Sequence, residues 1–408
     1  MFRRFLLDHR WLFLFGYFFY LGSPVVIGYS QAFAGLPGVD MFQDLFALLP
    51  GSQLNIYMII AACWLPAFFA GDLLVQYAVR GLPLPRRFSP DGTSRSLWIV
   101  AVVLFCVMIL FAFLARHSLL GGYASYDVGA RGKLSTLLMI ASFFWIYDRV
   151  TNQRHSLLLS VVIGLTALML LSMGGRMYVF HLVIVIVVFK TSLSSRRWGL
   201  GKVALFLIVG MIAGSVVGLL RMGVQPGFWF GLYSFFAEPA FTWFSVMTYL
   251  SNNEVAAFQW PANFFSSFLN LVPNTILKVK PYLVSLESMA DGYRNPLGAD
   301  SIWTNLVINF GSFGSVIFIF MTGGLLALLK KMAGMKRFWA AYYLMVCGMI
   351  PFQFFRDGFY ILNKQLFFNF LLFPLLVMLL LRLMLVVRAT LNQKPAIDRQ
   401  GDFDQVSA

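Results

Sequence analysis

Three arginines stand at the predicted ends of apolar segments. Arg176 lies in MLLSMGGRMYVFH, Arg221 ends the run VALFLIVGMIAGSVVGLLR, and Arg356 lies in PFQFFRDGFYILNK beside Asp357. A guanidinium offers a planar fork of donors that suits phosphate, and an arginine at hydrocarbon depth is costly unless it faces a cavity, a partner or a substrate. The three residues therefore predict an anion site where several apolar segments end on one side of a membrane.

Each arginine also has a purely structural interpretation. Arg221 could extend from its helix end to lipid headgroups. Arg176 could cap the last carbonyls of the preceding helix. Arg356 could be held by Asp357 or by another carboxylate as a structural pair. The convergence of three arginines from separate parts of the chain favours a site over three independent structural roles.

A second concentration of polar residues is the loop RHSLLGGYASYDVGARGK at 116–133. Arg131 is predicted to contact a phosphate or a sugar, and Tyr123 and Tyr126 offer flat surfaces for sugar rings. His117 could shuttle a proton near neutral pH. An ordinary solvated loop is the alternative. His181, one turn after Arg176, is predicted either to pack inside the bundle or to join the site.

Glu238 is the most exceptional carboxylate because it precedes a proline in the aromatic segment FFAEPAFTWF. A charge there is expensive unless it is paired or faces water. Glu238 is predicted to be a general base for a sugar hydroxyl or the counter-ion of Arg221. Three further carboxylates in the same region are expected to be solvated or paired with Arg294, namely Glu287, Asp291 and Asp300.

Composition defines the scaffold that must position these residues. The chain has 408 residues, of which 60% are hydrophobic and 12% charged, whereas about 25% of a typical soluble domain is charged. We therefore predict an all-α polytopic membrane protein. Nucleotide-binding glycine motifs, HExxH and cysteine or histidine ligand spacings are absent from the sequence, so we expect neither a metal nor a cofactor.

Hydropathy predicts ten to twelve transmembrane helices, with 227–250 as an apolar stretch that could span, re-enter or lie in the interface. The termini and every second loop together contain 21 of the 31 Lys and Arg residues. Because cytoplasmic segments are enriched in these residues, both termini are predicted to lie in the cytoplasm. The basic residues lie between spans, so a nucleic-acid partner is not expected. The ten segments are 11–30, 53–79, 96–115, 134–148, 156–174, 177–190, 203–220, 302–329, 338–355 and 365–388.

The predicted division of the chain is simple. Residues 1–390 form a single transmembrane domain whose basic N-terminus begins a retained first span rather than a removed signal. Residues 221–301 form a large periplasmic loop or re-entrant segment. Residues 391–408 form a disordered cytoplasmic tail.

Three motifs over about 170–390 resemble the oligosaccharide repeat-unit polymerases, the Wzy-type O-antigen polymerases of bacterial envelopes. LSMGGRMYVFHLVIVIVV is similar to the small-small-Arg turn of that family. The stretch NPLGADSIWTNLVINFGSFGSVIFIFMTGGLL, with Asn309, Gly311 and Gly314, resembles its glycine-bearing entry into a late span. FRDGFYILNKQLFFNFLLFPLL looks like its arginine-containing outer turn before the last helix.

The resemblance implies a GT-C-like, metal-independent glycosyltransferase at the periplasmic face of the inner membrane. Its substrate would be a glycan linked to undecaprenyl diphosphate, held among membrane lipids, and a chain-length regulator protein is a possible partner. O-antigen ligase activity and lipid-linked oligosaccharide flipping remain alternatives. The implied roles are diphosphate contact for Arg176, Arg221 and Arg356, support from Arg131, Arg294, Tyr123, Tyr126 and Asp357, and a base at Glu238 or His117.

Overall fold

The chain folds as a bundle of helices. The computed structural model describes residues 7–36, 39–81, 97–119, 128–152, 157–193, 198–222, 228–272, 276–295 and 298–392, and no strand occurs among them. Two π-helical segments, Phe18–Gly22 and Lys364–Leu372, continue neighbouring helices. The α-helices are α1 (His9–Tyr17), α2 (Ser23–Ser30), α3 (Val39–Leu48), α4 (Gly51–Ala78), α5 (Leu97–Leu114), α6 (Val128–Asn152), α7 (Leu157–Ser172), α8 (Arg176–Ser192), α9 (Leu200–Met222), α10 (Phe228–Asn252), α11 (Ala262–Ser266), α12 (Lys280–Val284), α13 (Ile302–Ala333), α14 (Arg337–Met349), α15 (Gln353–Arg356), α16 (Phe359–Asn363) and α17 (Phe373–Asn392).

Several helices are built to contact lipid. Large apolar side chains stand exposed along α5 and α17, where water would disfavour them, as for Val103, Leu110 and Leu380. Within the described ranges, five helical segments are long and apolar enough to cross a membrane. The protein is therefore an all-helical membrane protein. The five segments are His9–Ser30, Gly51–Ala78, Leu97–Leu114, Ile302–Ala333 and Phe359–Arg388.

Two predicted spans differ from the helices that the chain forms. The predicted span 302–329 lies within α13, but Gly311 interrupts that helix with φ 76° and ψ 179°. The segment 338–355 is divided, because α14 ends at Met349 and α15 begins at Gln353. The undecided stretch 227–250 forms the 25-residue helix α10, with Pro239 inside it. Hydropathy alone carries no information about these interruptions.

The break in α13 receives the chain that follows α10. Gly311 adopts a backbone conformation that is open essentially to glycine alone. The Ser312 and Phe313 amides donate to the carbonyls of Ala256 and Ala257 at 2.8 and 3.0 Å. A Cβ on Gly311 would lie 2.6 Å from the Ala257 carbonyl oxygen. Glycine is thus required at position 311 because the backbone at Ala256 and Ala257 lies directly against it.

The most extensive helix pair in the fold is α4 with α13. Gly71 of α4 lies against the Phe320 carbonyl of α13, and Gly323 of α13 lies against the Phe68 carbonyl of α4. Small residues at both contacts let the two backbones approach closely, which is how helices gain packing energy in a membrane. This pair forms the rigid centre of the bundle.

One end of this pair is fastened by buried charges. Asp72 of α4 is fully buried and accepts from His9 Nε2 at 2.9 Å and from Arg10 Nε at 2.6 Å. Lys330 of α13 donates to Asp8 at 2.6 Å. Buried charges persist when they are paired in this way. The network ties α1, α4 and α13 together at the end that carries the predicted cytoplasmic basic residues.

We expect Gly71→Ala to destabilise the protein by about 1–3 kcal/mol, because the new methyl group must displace the α13 backbone. The matched control is Gly164→Ala in α7, where a Cβ meets nothing within 4 Å. Thermal unfolding in detergent should separate the two variants. Equal melting temperatures for both would show that the close approach of α4 and α13 contributes little to stability.

Candidate active site

The turn before α8 positions Arg176. The Gly175 amide donates to the Leu170 carbonyl at 2.6 Å and the Gly174 amide donates to the Leu171 carbonyl at 3.1 Å, while Gly174 has φ 77°. This pattern is the Schellman motif that ends many helices at a glycine. Because backbone amides satisfy the last carbonyls of α7, Arg176 is not needed as their cap. Its guanidinium is available for another partner.

Arg356 is held by the short helix α15. The side chain of Gln353, at the start of that helix, contacts Nδ1 of His181 at 3.0 Å. His181 is buried in α8, five residues after Arg176, so this contact fastens α15 to α8. His181 therefore packs inside the bundle and aligns the two segments that carry the arginines.

Glu238 of α10 joins the two arginines. Its Oε1 accepts from Arg356 Nε in a very short contact, and its Oε2 lies 3.6 Å from Arg176 Nη2. Arg356 also donates through Nη1 to Asp357 at 2.8 Å. The predicted pairing of Arg356 with Asp357 is thus present, but it is one part of a larger cluster. We call Arg176, Arg356, Glu238 and Asp357 the arginine site.

A further cation stands near the arginine site. Arg131 of α6 interacts electrostatically with both Glu238 and Asp357. The guanidinium groups of Arg131, Arg176 and Arg356 thus all act on the two carboxylates. Such a group of cations can bind a multivalent anion and can stabilise negative charge that develops on a leaving group.

A cleft opens beside the arginine site. The cleft has an empty volume of about 370 Å³ when the solvent-open space at its mouth is included. The cavity that can hold water-sized molecules measures only about 30 Å³. Arg176 and Glu238 provide its charge and Phe19, Phe180 and Phe352 provide much of its apolar wall. The combination of guanidinium groups with aromatic walls suits an anionic headgroup attached to an apolar chain.

Tyr20 also lines the cleft, and the sequence did not single it out. The side chain is 1% exposed, and its hydroxyl has no hydrogen-bond partner among the residues that the structure describes. A buried hydroxyl without a partner costs free energy, and such an atom calls for an explanation. Tyr20 lies in the π-helical segment Phe18–Gly22, and π-helical turns are frequent at functional sites. Nothing distinguishes it in the sequence from the neighbouring aromatic residues.

The other predicted site residues do not all join the cluster. His117 is exposed after α5, where its Nε2 accepts from the neighbouring Arg116 at 3.0 Å. Arg294 is exposed in the outer segment between α10 and α13. Arg221 belongs to α9, but its side chain lies outside the described part, as do Tyr123 and Tyr126. Of the two predicted bases, Glu238 is thus the one that contacts Arg176 and Arg356 among the described residues.

The prediction that Asp300 is solvated or paired with Arg294 is wrong. Asp300 is 1% exposed, and its Oδ1 accepts from Tyr293 at 2.5 Å and from Asn295 at 2.6 Å. Burial raises the pKa of the Asp300 carboxyl, and these two hydrogen bonds oppose that shift. The acidic residue looked like an ordinary loop aspartate because its tyrosine partner is seven positions away and a fold of the loop brings them together.

Asp300→Asn is expected to raise thermal stability relative to the wild type at neutral pH, because asparagine keeps the accepting oxygen without a buried charge. A raised carboxyl pKa favours the fold at low pH, and this contribution is lost as the pH rises through the folded pKa. The stability difference should therefore widen as the pH rises from about 4. Melting curves from pH 4 to 8 measure it, with exposed Asp291→Asn as the control. A difference that does not change with pH would contradict the buried charge.

Within the described ranges, no group of three or more His, Cys, Asp or Glu residues could hold a metal ion. Comparisons of the chain with protein-family models, with curated proteins and with solved structures found no match. The chemistry of the protein must therefore be inferred from the arginine site itself, whose charges and apolar wall are the features that a ligand would meet.

Proposed function

We propose that the protein is a glycosyltransferase that polymerises oligosaccharide repeat units carried on undecaprenyl diphosphate. In this reaction the reducing end of a growing glycan passes from its lipid diphosphate to a hydroxyl of another lipid-linked repeat unit. The reaction builds O-antigen or a related surface polysaccharide and releases undecaprenyl diphosphate. The proposal extends the resemblance of three motifs to the repeat-unit polymerases.

The observation that carries this proposal is the convergence of Arg176 and Arg356 on Glu238 beside an aromatic cleft. The two arginines are 180 positions apart in the chain and come from different helices. A departing diphosphate gathers negative charge as its bond to the sugar breaks. Preorganised cations in a site that excludes water stabilise that charge far better than water does.

The lengths of two helices support a site recessed from the outer surface. Helices α7 and α8 have 16 and 17 residues, which correspond to about 24 and 26 Å. The hydrocarbon core of a bilayer is about 30 Å thick. If α7 begins and α8 ends near the cytoplasmic surface, the turn before Arg176 stays below the outer headgroups. A diphosphate attached to a polyprenyl chain can reach such a position with its lipid still in the membrane.

The proposed topology follows the distribution of basic residues. Ten to twelve crossings place both termini in the cytoplasm and the arginine site on the periplasmic side of the bacterial inner membrane. The residues from the end of α10 to the start of α13 then form a periplasmic cover. In this arrangement Arg131 supports the diphosphate, and a separate regulator of chain length is a possible partner.

Two other activities would use the same anion site. An O-antigen ligase would transfer the glycan to a lipid A core instead of to another repeat unit, and a flippase would move the lipid-linked substrate without making a bond. Supplying purified protein with each acceptor distinguishes the three activities. New glycosidic bonds between repeat units support the polymerase, transfer to the lipid A core supports the ligase, and movement without bond formation supports the flippase.

Arg176→Ala and Arg356→Ala should each lower polymerisation by about 100-fold or more, because each removes a cation that stabilises the leaving diphosphate. The measurement is the chain-length ladder made by protein in liposomes supplied with undecaprenyl-diphosphate-linked repeat units. Lys278→Ala, which removes an exposed cation from the outer segment, is the control and should leave the ladder unchanged.

The result is interpretable only for folded protein, so each variant is first compared with the wild type by size-exclusion elution and melting temperature. Unaltered ladders for Arg176→Ala and Arg356→Ala at equal protein levels would overturn the proposed role of the arginine site. A loss of activity that is equally large in Lys278→Ala would show that the assay reports general cation loss.

A further inference from the structure

We propose that Glu238 occupies the diphosphate position of the arginine site, that the donor substrate displaces it, and that the displaced carboxylate then serves as the base for the acceptor hydroxyl. The inference rests on the proposed function for the identity of the donor. It makes the anion site a switch, in which the protein's own carboxylate and the substrate's phosphate compete for the same guanidinium groups.

The first step of the argument is the geometry of the ion pairs. The two oxygens of Glu238 are each directed to a different arginine, Oε1 to Arg356 and Oε2 to Arg176. A phosphate group presents two oxygens to guanidinium groups in the same way. The carboxylate therefore satisfies the cations in the absence of a ligand, which they need because an unpaired charge is costly in a site that is largely buried.

The second step is the space that remains. A cavity of about 30 Å³ beside the ion pairs has room for about two water molecules, each of which needs roughly 10–15 Å³. A diphosphate with its attached sugar is much larger than this. A ligand that places its oxygens where the Glu238 oxygens meet the two arginines therefore displaces the Glu238 side chain.

The third step is a donor that Glu238 does not use. Tyr20 lines the cleft, and its buried hydroxyl has no partner in the described part of the chain. The charges of Glu238, Arg356 and Arg176 act on this side chain. A larger anion with more oxygens can accept a hydrogen bond from Tyr20 in addition to those from the arginines. The site thus holds more donors than its resident carboxylate can satisfy.

The fourth step is the freedom of Glu238 to move. Pro239 follows it inside α10 and has no amide hydrogen, so the Phe235 carbonyl one turn earlier lacks its helical donor. The helix is less constrained at this turn than elsewhere. The glutamate side chain is 16% exposed, which shows that solvent already reaches it from the cleft. Rotation of the side chain toward solvent brings the carboxylate to the mouth of the cleft.

Displacement changes the chemistry of the carboxylate. Once the diphosphate neutralises Arg176 and Arg356, Glu238 faces added negative charge and accepts a proton more readily. The acceptor hydroxyl oxygen then forms a bond to the anomeric carbon, and the bond from that carbon to the diphosphate oxygen breaks. The hydroxyl proton passes to Glu238, and the bonding electrons leave with undecaprenyl diphosphate. The base is thus released only when a donor is bound.

The binding part is tested with inorganic pyrophosphate and purified full-length protein in detergent, using calorimetry. Glu238→Gln removes the competing charge and keeps the shape, so its affinity for pyrophosphate should be about tenfold or more above that of the wild type. The control, Glu254→Gln, changes an exposed carboxylate of the outer segment and should bind like the wild type. Equal or weaker pyrophosphate binding by Glu238→Gln would overturn the displacement.

Because unpaired arginines can unfold Glu238→Gln, a second variant keeps the test decisive. Glu238→Asp retains the charge on a side chain one methylene shorter and should hold the two arginines less well. Its melting temperature should rise more with added pyrophosphate than that of the wild type. An increase no larger than that of the wild type would count against a carboxylate that competes with the ligand.

The base is tested by polymerisation in liposomes. Glu238→Gln should bind pyrophosphate more tightly and yet make no polymer, whereas Glu238→Asp should retain part of the activity. Full activity of Glu238→Gln would exclude the carboxylate as the base. If the wild type makes no polymer but Glu238→Gln still binds pyrophosphate more tightly, the polymerase assignment fails and the displacement of Glu238 is still supported. The two failures are therefore distinguishable.

Discussion

The carboxylate of Glu238 between two guanidinium groups is the interaction on which the arginine site depends. Arg176 begins α8 and Arg356 ends α15. Among the described residues, Glu238 is the carboxylate that links both of these helices to α10. Removing one partner of such a cluster leaves the others charged and largely buried, which is destabilising. The same partial burial strengthens the attraction of the arginines for an anionic ligand. Glu238 therefore stabilises the protein without ligand and, by the same contacts, lowers its affinity for the ligand.

The closest helix packing and the arginine site lie on different parts of the scaffold. The glycine contacts of α4 with α13, and the buried Asp72 network at one end of that pair, hold the centre of the bundle. The arginine site lies on shorter or interrupted elements, where α15 has four residues and α10 contains Pro239. His9 of the Asp72 network and Tyr20 of the cleft belong to the same helical segment, His9–Ser30. At the usual rise per residue they are about 16 Å apart along its axis. The two charged groups thus lie well apart, with apolar packing between them.

Much of the helical structure could be predicted from hydropathy, because a long apolar run in lipid must satisfy its backbone internally. The turn at Gly174 and Gly175 could likewise be predicted, since a glycine at a helix end favours a left-handed cap. The helix break at Gly311 and the burial of Asp300 were not predictable in this way. Both depend on residues that approach from elsewhere in the chain, the segment around Ala257 in one case and Tyr293 in the other. Local pattern contains no measure of such approaches.

The sequence by itself determined the class of the protein and the chemical type of its site. Composition indicated a helical membrane protein, and arginines at the ends of apolar runs predicted an anion site because charge is expensive in hydrocarbon. Only the tertiary structure decided which partners these are. It paired Glu238 with Arg176 and Arg356, left the buried Tyr20 hydroxyl without a partner among the described residues, and paired His117 with Arg116. The physical reason is that ion pairing depends on distance in space, which the order of residues does not specify.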